Sequence, residues 1–296
     1  MRQPFAIALR RLSRGFVRPW SAFVLMAASA LLPHAAQAGF VVFEGAGADP
    51  AAITPTRDSF RTAVGGGSVA GANGDFGGLR REINWDGVPA GSSAPSLLPG
   101  NFFNVTSPRG VVFTTPGTGF MVSANAGGST PTLFGFPNDL QAFSAQKLFA
   151  SVNSNVTDVH FFLPGTSTAA TTSAFGLVFV DAEDSNATQL EFFDANGAVI
   201  FSRFALAAGN QGLSFLGGIA DAGEQIARVR ITTPGNYLIS NGVRVTEAID
   251  FVVMDDFLYA TPGAAVVPVP APLALGLLGI AGLVARARRA RRTPRS

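Results

Sequence analysis

Short apolar runs recur along the middle of the chain at intervals of roughly ten residues, separated by Gly, Asn, Asp and Pro. The clearest are FVVF (40–43), GVVFTT (110–115), DVHFFL (158–163), AFGLVFVD (174–181), QLEFFD (189–194), AVIFSRFAL (198–206), ARVRIT (227–232) and AIDFVVMDDF (248–257). Such spacing leaves no room for long helices and predicts an all-β domain, a single jelly-roll-like or lectin-like β-sandwich. Ala227, Val229 and Ile231 alternate with Arg228 and Arg230, so one face of that strand turns to a core and the other to water. Asp194-Ala195-Asn196-Gly197 lies between two strong strands and reads as a hairpin turn, with Gly197 free to take positive φ. Helical pattern is confined to Asp49–Val64, with Thr56 or Asp58 near its start. The Gly-rich stretch 65–78 after it reads as a flexible surface loop, since no GK[ST] element follows to make a phosphate cradle.

Charge divides the chain in three. Eleven of its 21 basic residues lie in residues 1–18 and 286–295 and none of its 19 acidic residues does, so residues 39–285 carry a formal charge of −9. An acidic body with Lys147 as its lysine cannot present the clustered cations that a nucleic-acid surface needs. The absence of cysteine excludes disulfides and thiolate chemistry. The core must therefore be built by packing, and a body of about 220 residues is long enough for it.

The ends read as targeting segments. Residues 1–38 have a basic stretch through Arg18, an apolar run from Ala22 to Leu32 and the small-x-small site Ala36-Gln37-Ala38, which predicts a cleaved signal peptide and a mature protein starting at Gly39. That route implies the general secretion machinery and signal peptidase as partners. The body spans 39–262. Residues 263–272 form a Pro-rich linker ending in Val267-Pro268-Val269-Pro270-Ala271-Pro272, and 273–285 form an apolar helix of about 20 Å, marginal for a full membrane span. Residues 286–296 are a basic tail in which Arg286, Arg288, Arg289, Arg291 and Arg292 hold that end on the cytoplasmic side. A plain C-terminal membrane anchor has the same composition.

This C-terminal order resembles the PEP-CTERM sorting signal of Gram-negative bacteria, over about 30 residues. Val269 stands where the name-giving motif has Glu, as in VPxPAP-like variants. The resemblance implies an exosortase-like sorting enzyme, removal of the helix, and release into or attachment to an extracellular polysaccharide matrix. Two further segments resemble a domain that recurs in uncharacterised PEP-CTERM proteins. One joins Arg80-Arg81-Glu82-Ile83-Asn84-Trp85-Asp86-Gly87-Val88-Pro89 with Asn101-Phe102-Phe103-Asn104 and Ser107-Pro108-Arg109-Gly110; the other joins FGLVFVDAE, LEFFDANG, LSFLGG and VVMDDFLY. They imply an extracellular β-domain and no activity.

No catalytic residue is assigned, and the expectation is a non-enzymatic surface or matrix protein, inner-membrane-tethered as a precursor. His160 is the single histidine after residue 38, which excludes His-rich metal sites, and it sits inside an alternating strand without a G-x-S-x-G elbow. Carboxylate pairs for glycoside hydrolysis stay open, since their separation is spatial. Asp255 and Asp256 stand at the end of the expected strand Ile249 to Met254, and Asp181 and Glu183 at the end of the expected strand Ala174 to Val180. These four are a candidate calcium site, hard oxygen ligands for a hard cation; the alternative is solvated turn acids, or partners of Arg228 and Arg230. Trp85, flanked by Asn84 and Asp86, is a candidate sugar platform for exopolysaccharide; the alternative is a core tryptophan.

Overall fold

The computed structural model describes residues 39–125, 132–239 and 250–265. In chain order these form β1 (Phe40–Gly47), the helix α1 (Pro50–Val64), β2 (Asp75–Phe76), β3 (Arg80–Ile83), a short helix α2 (Phe102–Val105), β4 (Val111–Thr114), β5 (Gly119–Val122), β6 (Phe149–Val152) and β7 (Val156–Phe161). The chain continues with β8 (Ala170–Thr171), β9 (Ala174–Val180), β10 (Gln189–Phe193), β11 (Val199–Phe204), β12 (Leu213–Ala220), β13 (Arg228–Thr232), β14 (Val253–Ala260) and β15 (Gly263–Ala264). One sheet runs β1-β12-β9-β14-β3-β2, with β6 also on β14 and β5 on β6; a second runs β11-β10-β13-β7-β4. All ladders between these strands are antiparallel, so the domain is all-β as expected.

The sheets share one apolar layer. Phe175, Leu177, Phe179, Phe257 and Tyr259 of the first meet Val111, Phe113, Phe161, Phe192 and Val229 of the second. Ring pairs such as Phe161–Phe175 and Phe175–Phe192, both 6.3 Å between centroids, cross that layer. The other face of the first sheet is covered too: Val178, Val180, Phe215 and Leu258 pack with Ile53 and Phe60 of α1. All seven residues of β9 are consequently buried, which is why its sequence is a continuous apolar run rather than an alternation. The outer face of the second sheet is wet. There Arg228 and Arg230 both reach Asp158, at 2.7 and 2.8 Å. His160 in β7 lies 3.0 Å from Thr114 Oγ1, a strand histidine in a hydrogen bond.

Asp194 caps the β10–β11 hairpin, accepting from the Asn196 and Ala198 amides at 2.9 and 2.8 Å, and Gly197 has φ +82° as the turn requires.

Four expectations are corrected. The helix spans Pro50–Val64, as expected for Asp49–Val64, but its start is not at Thr56 or Asp58: Asp49 is the N-cap, its carboxylate accepting from Ala52 N at 3.0 Å, and Pro50 fills the first turn, where a missing amide costs nothing. The Gly-rich stretch is not a free loop, because Arg80 donates to the carbonyls of Gly65 and Gly67. Gly263–Ala264 still pairs with β8, so strand structure continues beyond residue 262. The last long strand begins at Val253, which places Asp255 and Asp256 inside it. The register against β9 shifts between Asp255 and Phe257, making Asp256 the extra residue of a bulge.

At the start of β1 the Gly39 amide donates to Glu224 Oε1 at 2.8 Å, and a Cβ at this position would lie 2.0 Å from Asp221 Oδ1. The segments expected to direct export and sorting, including Ala36, Ala38, the Pro motif, the apolar helix and the basic tail, lie outside the described residues. Among those that are described, no helix is long and apolar enough to cross a membrane.

Candidate functional site

The bulge at Asp256 opens onto a polar groove of about 480 Å³, within the range of about 300–1,000 Å³ usual for small-ligand sites. Its walls come from α1 (Arg57, Arg61), the Gly-rich segment (Asn73, Gly74, Phe76), β3 and the residues after it (Glu82, Asn84), Arg109, Ser144 and Asp256. A second cavity of about 500 Å³ continues under the Gly-rich segment and shares Arg61 and Phe76.

The groove is framed by arginines with distinct partners. Arg61 grips Glu82 with both prongs, Nε to Oε1 at 2.8 Å and Nη2 to Oε2 at 2.5 Å. Arg80 also reaches Glu82 Oε1, at 2.7 Å, and spends its other nitrogens on loop carbonyls. Arg81 donates to the carbonyls of Asn73 and Pro108. Arg57 bonds Asp58 at 2.7 Å, lies 3.5 Å from Asp256 Oδ2 and stacks over the Phe143 ring. Arg109 stacks over Phe103, donates to the Glu82 carbonyl and to Ser107 Oγ, and forms no ion pair among the described residues. Burial pushes its guanidinium pKa down. The Gly-rich segment is moulded to this frame: Gly74 has φ +63°, and a Cβ there would sit 2.3 Å from Glu82 O and 2.7 Å from Arg109 Nη1.

Two adjacent carboxylates lie beneath. Asp255 is fully buried; its Oδ2 accepts from the amides of Phe143 (2.7 Å) and Ser144 (3.1 Å), and its Oδ1 from Ser144 Oγ (3.2 Å) and the Asp256 amide (2.8 Å). It is an anchor for the 141–146 loop. Asp256 is 4% exposed, and its buried Oδ1 has no hydrogen-bond partner among the described residues. Burial raises the pKa of both groups, Asp256 to about 6, with a hydrogen bond from Ser144 and then the charges of Arg57 and Arg61 pulling it the other way.

The four residues of the candidate calcium site are not brought together. Asp255 and Asp256 belong to this groove and its floor, whereas Asp181 sits among Gln211, Glu183 and Asp250. Among the described residues no group of three or more His, Asp or Glu is placed to hold a metal ion. Nor do the four pair with Arg228 and Arg230, whose carboxylate is Asp158.

Asp181 is 4% exposed with a left-handed φ of +67°, and its Oδ1 accepts from the Gln211 amide at 2.8 Å. Burial, reinforced by the charges of Asp250, Glu183 and Asp139, raises its pKa from 3.8 to about 7; Asp250 rises to about 6, again mainly through burial. Groups whose native pKa is raised hold protons that the unfolded chain releases. Their contribution to stability is complete below pH 4 and is lost as pH climbs toward 7. The melting temperature is expected to fall between pH 4.5 and 7.5, and Asp181→Asn to flatten that slope and raise the melting temperature at pH 7.5. An unchanged slope would exclude Asp181 as its source.

Trp85 is not a platform. It is 1% exposed, stacked on Phe149 at 4.0 Å and 2°, and meets Phe103 and Phe257 edge-on at 5.5 and 5.0 Å. Its flat apolar area is consumed by the core, and its indole nitrogen has no partner among the described residues. Asp86 accepts from the Lys147 amide at 3.1 Å. Lys147 is itself fully buried, donating to Val88 O and Ser93 Oγ, and burial pushes its pKa down. Of the three residues proposed for sugar, Asn84 alone is exposed on the groove.

Arg57, Arg61, Glu82 and Arg109 were not among the sequence candidates. The signal for them was present: five of the nine arginines in residues 39–285 fall between 57 and 109. No model of a known protein family and no curated protein matches the chain. Its chemistry must be read from the groove itself.

Proposed function

We propose that the chain is a non-enzymatic exported protein of the cell surface or extracellular matrix, sorted through its PEP-CTERM-like C-terminus, whose jelly-roll-like, lectin-like domain engages exopolysaccharide. The observation that carries the binding part is the groove, where arginine, asparagine and carboxylate side chains from α1, the Gly-rich segment, β3 and β14 converge on one cavity. Convergent polar groups on an otherwise apolar scaffold are what a sugar's hydroxyls require. Export is supported by the Arg-rich ends and by a cysteine-free acidic body.

The test is mass spectrometry of both termini of the protein from native cells, with fractionation of the matrix. Expected are an N-terminus at Gly39, loss of the residues after the Pro motif, and recovery with the polysaccharide. A chain that retains Met1 and remains inside the cell would overturn the proposal.

A secreted hydrolase is the second reading, favoured by Glu82 and Asp256 lining the same groove. It requires release of new reducing ends from a polysaccharide, abolished by Asp256→Asn.

A further inference from the structure

The body carries a formal charge of −9, yet five of its nine arginines fall between residues 57 and 109, and three of these, Arg57, Arg61 and Arg109, line one groove. Concentrating scarce cations at one place on an anionic domain creates a local field of opposite sign to the rest of the surface. Three of the five are committed to the scaffold: Arg61 to Glu82, Arg80 to Glu82 and the loop carbonyls, and Arg81 to the carbonyls of Asn73 and Pro108. Two are held less firmly. Arg57 pairs through Nε with the exposed Asp58 at 2.7 Å and only loosely, at 3.5 Å, with Asp256, and Arg109 faces no carboxylate among the described residues, although it is largely withdrawn from water. A cation that has lost hydration without gaining a counter-ion is unfavourable, and an incoming anion removes that cost. Both guanidinium groups lie over aromatic rings, Phe143 at 4.8 Å and Phe103 at 5.0 Å, which fixes their planes in advance of binding.

The lining also says what kind of anion. Glu82 and Asp256 share the groove, so a doubly charged phosphate would meet repulsion that a single carboxylate largely avoids. Asp256 Oδ1 is buried and unpartnered among the described residues, an acceptor waiting for a neutral donor such as a hydroxyl. Asn84 at the rim supplies both a donor and an acceptor. A carboxylate for the forks, with hydroxyls for Asp256 and Asn84, is the chemistry of a uronic acid.

We propose that this groove binds an acidic sugar unit of a polysaccharide, its carboxylate received by Arg109 and Arg57 and a hydroxyl by Asp256. The proposal rests on the polysaccharide reading given above and narrows it to uronate-bearing chains.

The experiment is titration calorimetry of the full-length protein with three probes: an oligogalacturonate, a neutral dextran oligosaccharide and a sulfated dextran. The oligouronate is expected to bind at least tenfold more tightly than either of the others, and more weakly as salt is raised. Arg109→Gln and Arg57→Gln are each expected to weaken it at least tenfold, with circular dichroism unchanged. Arg203→Gln, which removes an exposed pair with Glu44 elsewhere, should leave it unaltered. Tight binding by the sulfated polymer, or wild-type affinity in both folded arginine variants, would overturn the proposal. A neutral oligosaccharide that binds best and is lost on Asn84→Ala would overturn the acidic sugar while supporting the broader polysaccharide reading. Failure of all three probes, together with absence of the protein from the native matrix, would sink both.

Discussion

Replacing Trp85 by alanine is expected to destabilise the domain by about 3–5 kcal/mol, the range found when a large aromatic is deleted from a packed core. The ring is sandwiched against Phe149 and flanked by Phe103, Phe113 and Phe257, so its loss leaves a void bounded by rings anchored in four different segments. These neighbours belong to both sheets and cannot collapse inward together without shifting the strands. Trp85 also has a left-handed φ of +65°, a conformation that packing must enforce on a bulky residue. Urea unfolding followed by circular dichroism measures the effect. Trp85→Phe, which keeps a ring against Phe149, should lose less than half as much. A loss below 1 kcal/mol for Trp85→Ala would mean that the aromatic cluster is not the keystone of this core.

Asp255→Ala is expected to cost about 3 kcal/mol or more, through another mechanism. No large volume is lost; instead the part-buried amides of Phe143 and Ser144 and the buried amide of Asp256 lose their acceptor, at about 1–3 kcal/mol for a buried group left unpaired and less where water can reach it. Asp255→Asn keeps one oxygen and should be milder. Because the carboxylate ties the 141–146 loop to β14, proteolytic cleavage within that loop should accelerate in Asp255→Ala before global unfolding is seen. Equal cleavage rates for variant and wild type would show that the loop is held by other contacts.

Legibility of this fold follows burial. β13 could be read from its alternation because one of its faces meets water. β9, covered by the second sheet on one side and α1 on the other, showed only a long apolar run, and the covering helix could not be inferred from it. Asp255 and Asp256 were misread as a strand end because two adjacent acids are seldom carried into a sheet interior. They are carried there because a bulge absorbs one and a ring of backbone amides satisfies the other. Trp85 illustrates the opposite difficulty: its polar sequence neighbours suggest a surface, while its side chain points into the core. The groove was beyond sequence reasoning because Arg57, Glu82, Arg109 and Asp256 come from separate elements, joined by antiparallel pairing of β3 with β14 and by the packing of α1 on the first sheet. Only the uneven distribution of arginine along the body hinted at it.

The start of β1 sets residue 39 beside two acidic side chains, Glu224 and Asp221. A side chain there would meet the carboxylate end of Asp221, an exposed side chain that would have to swing aside, so glycine after a cut at Ala38 lets the strand zip onto β12 without that movement. Such a cut would replace a neutral amide by an ammonium ion, charged below pH about 8, facing Glu224 and Asp221. Severing the chain at that point would thus tighten the strand's first rung rather than fray it.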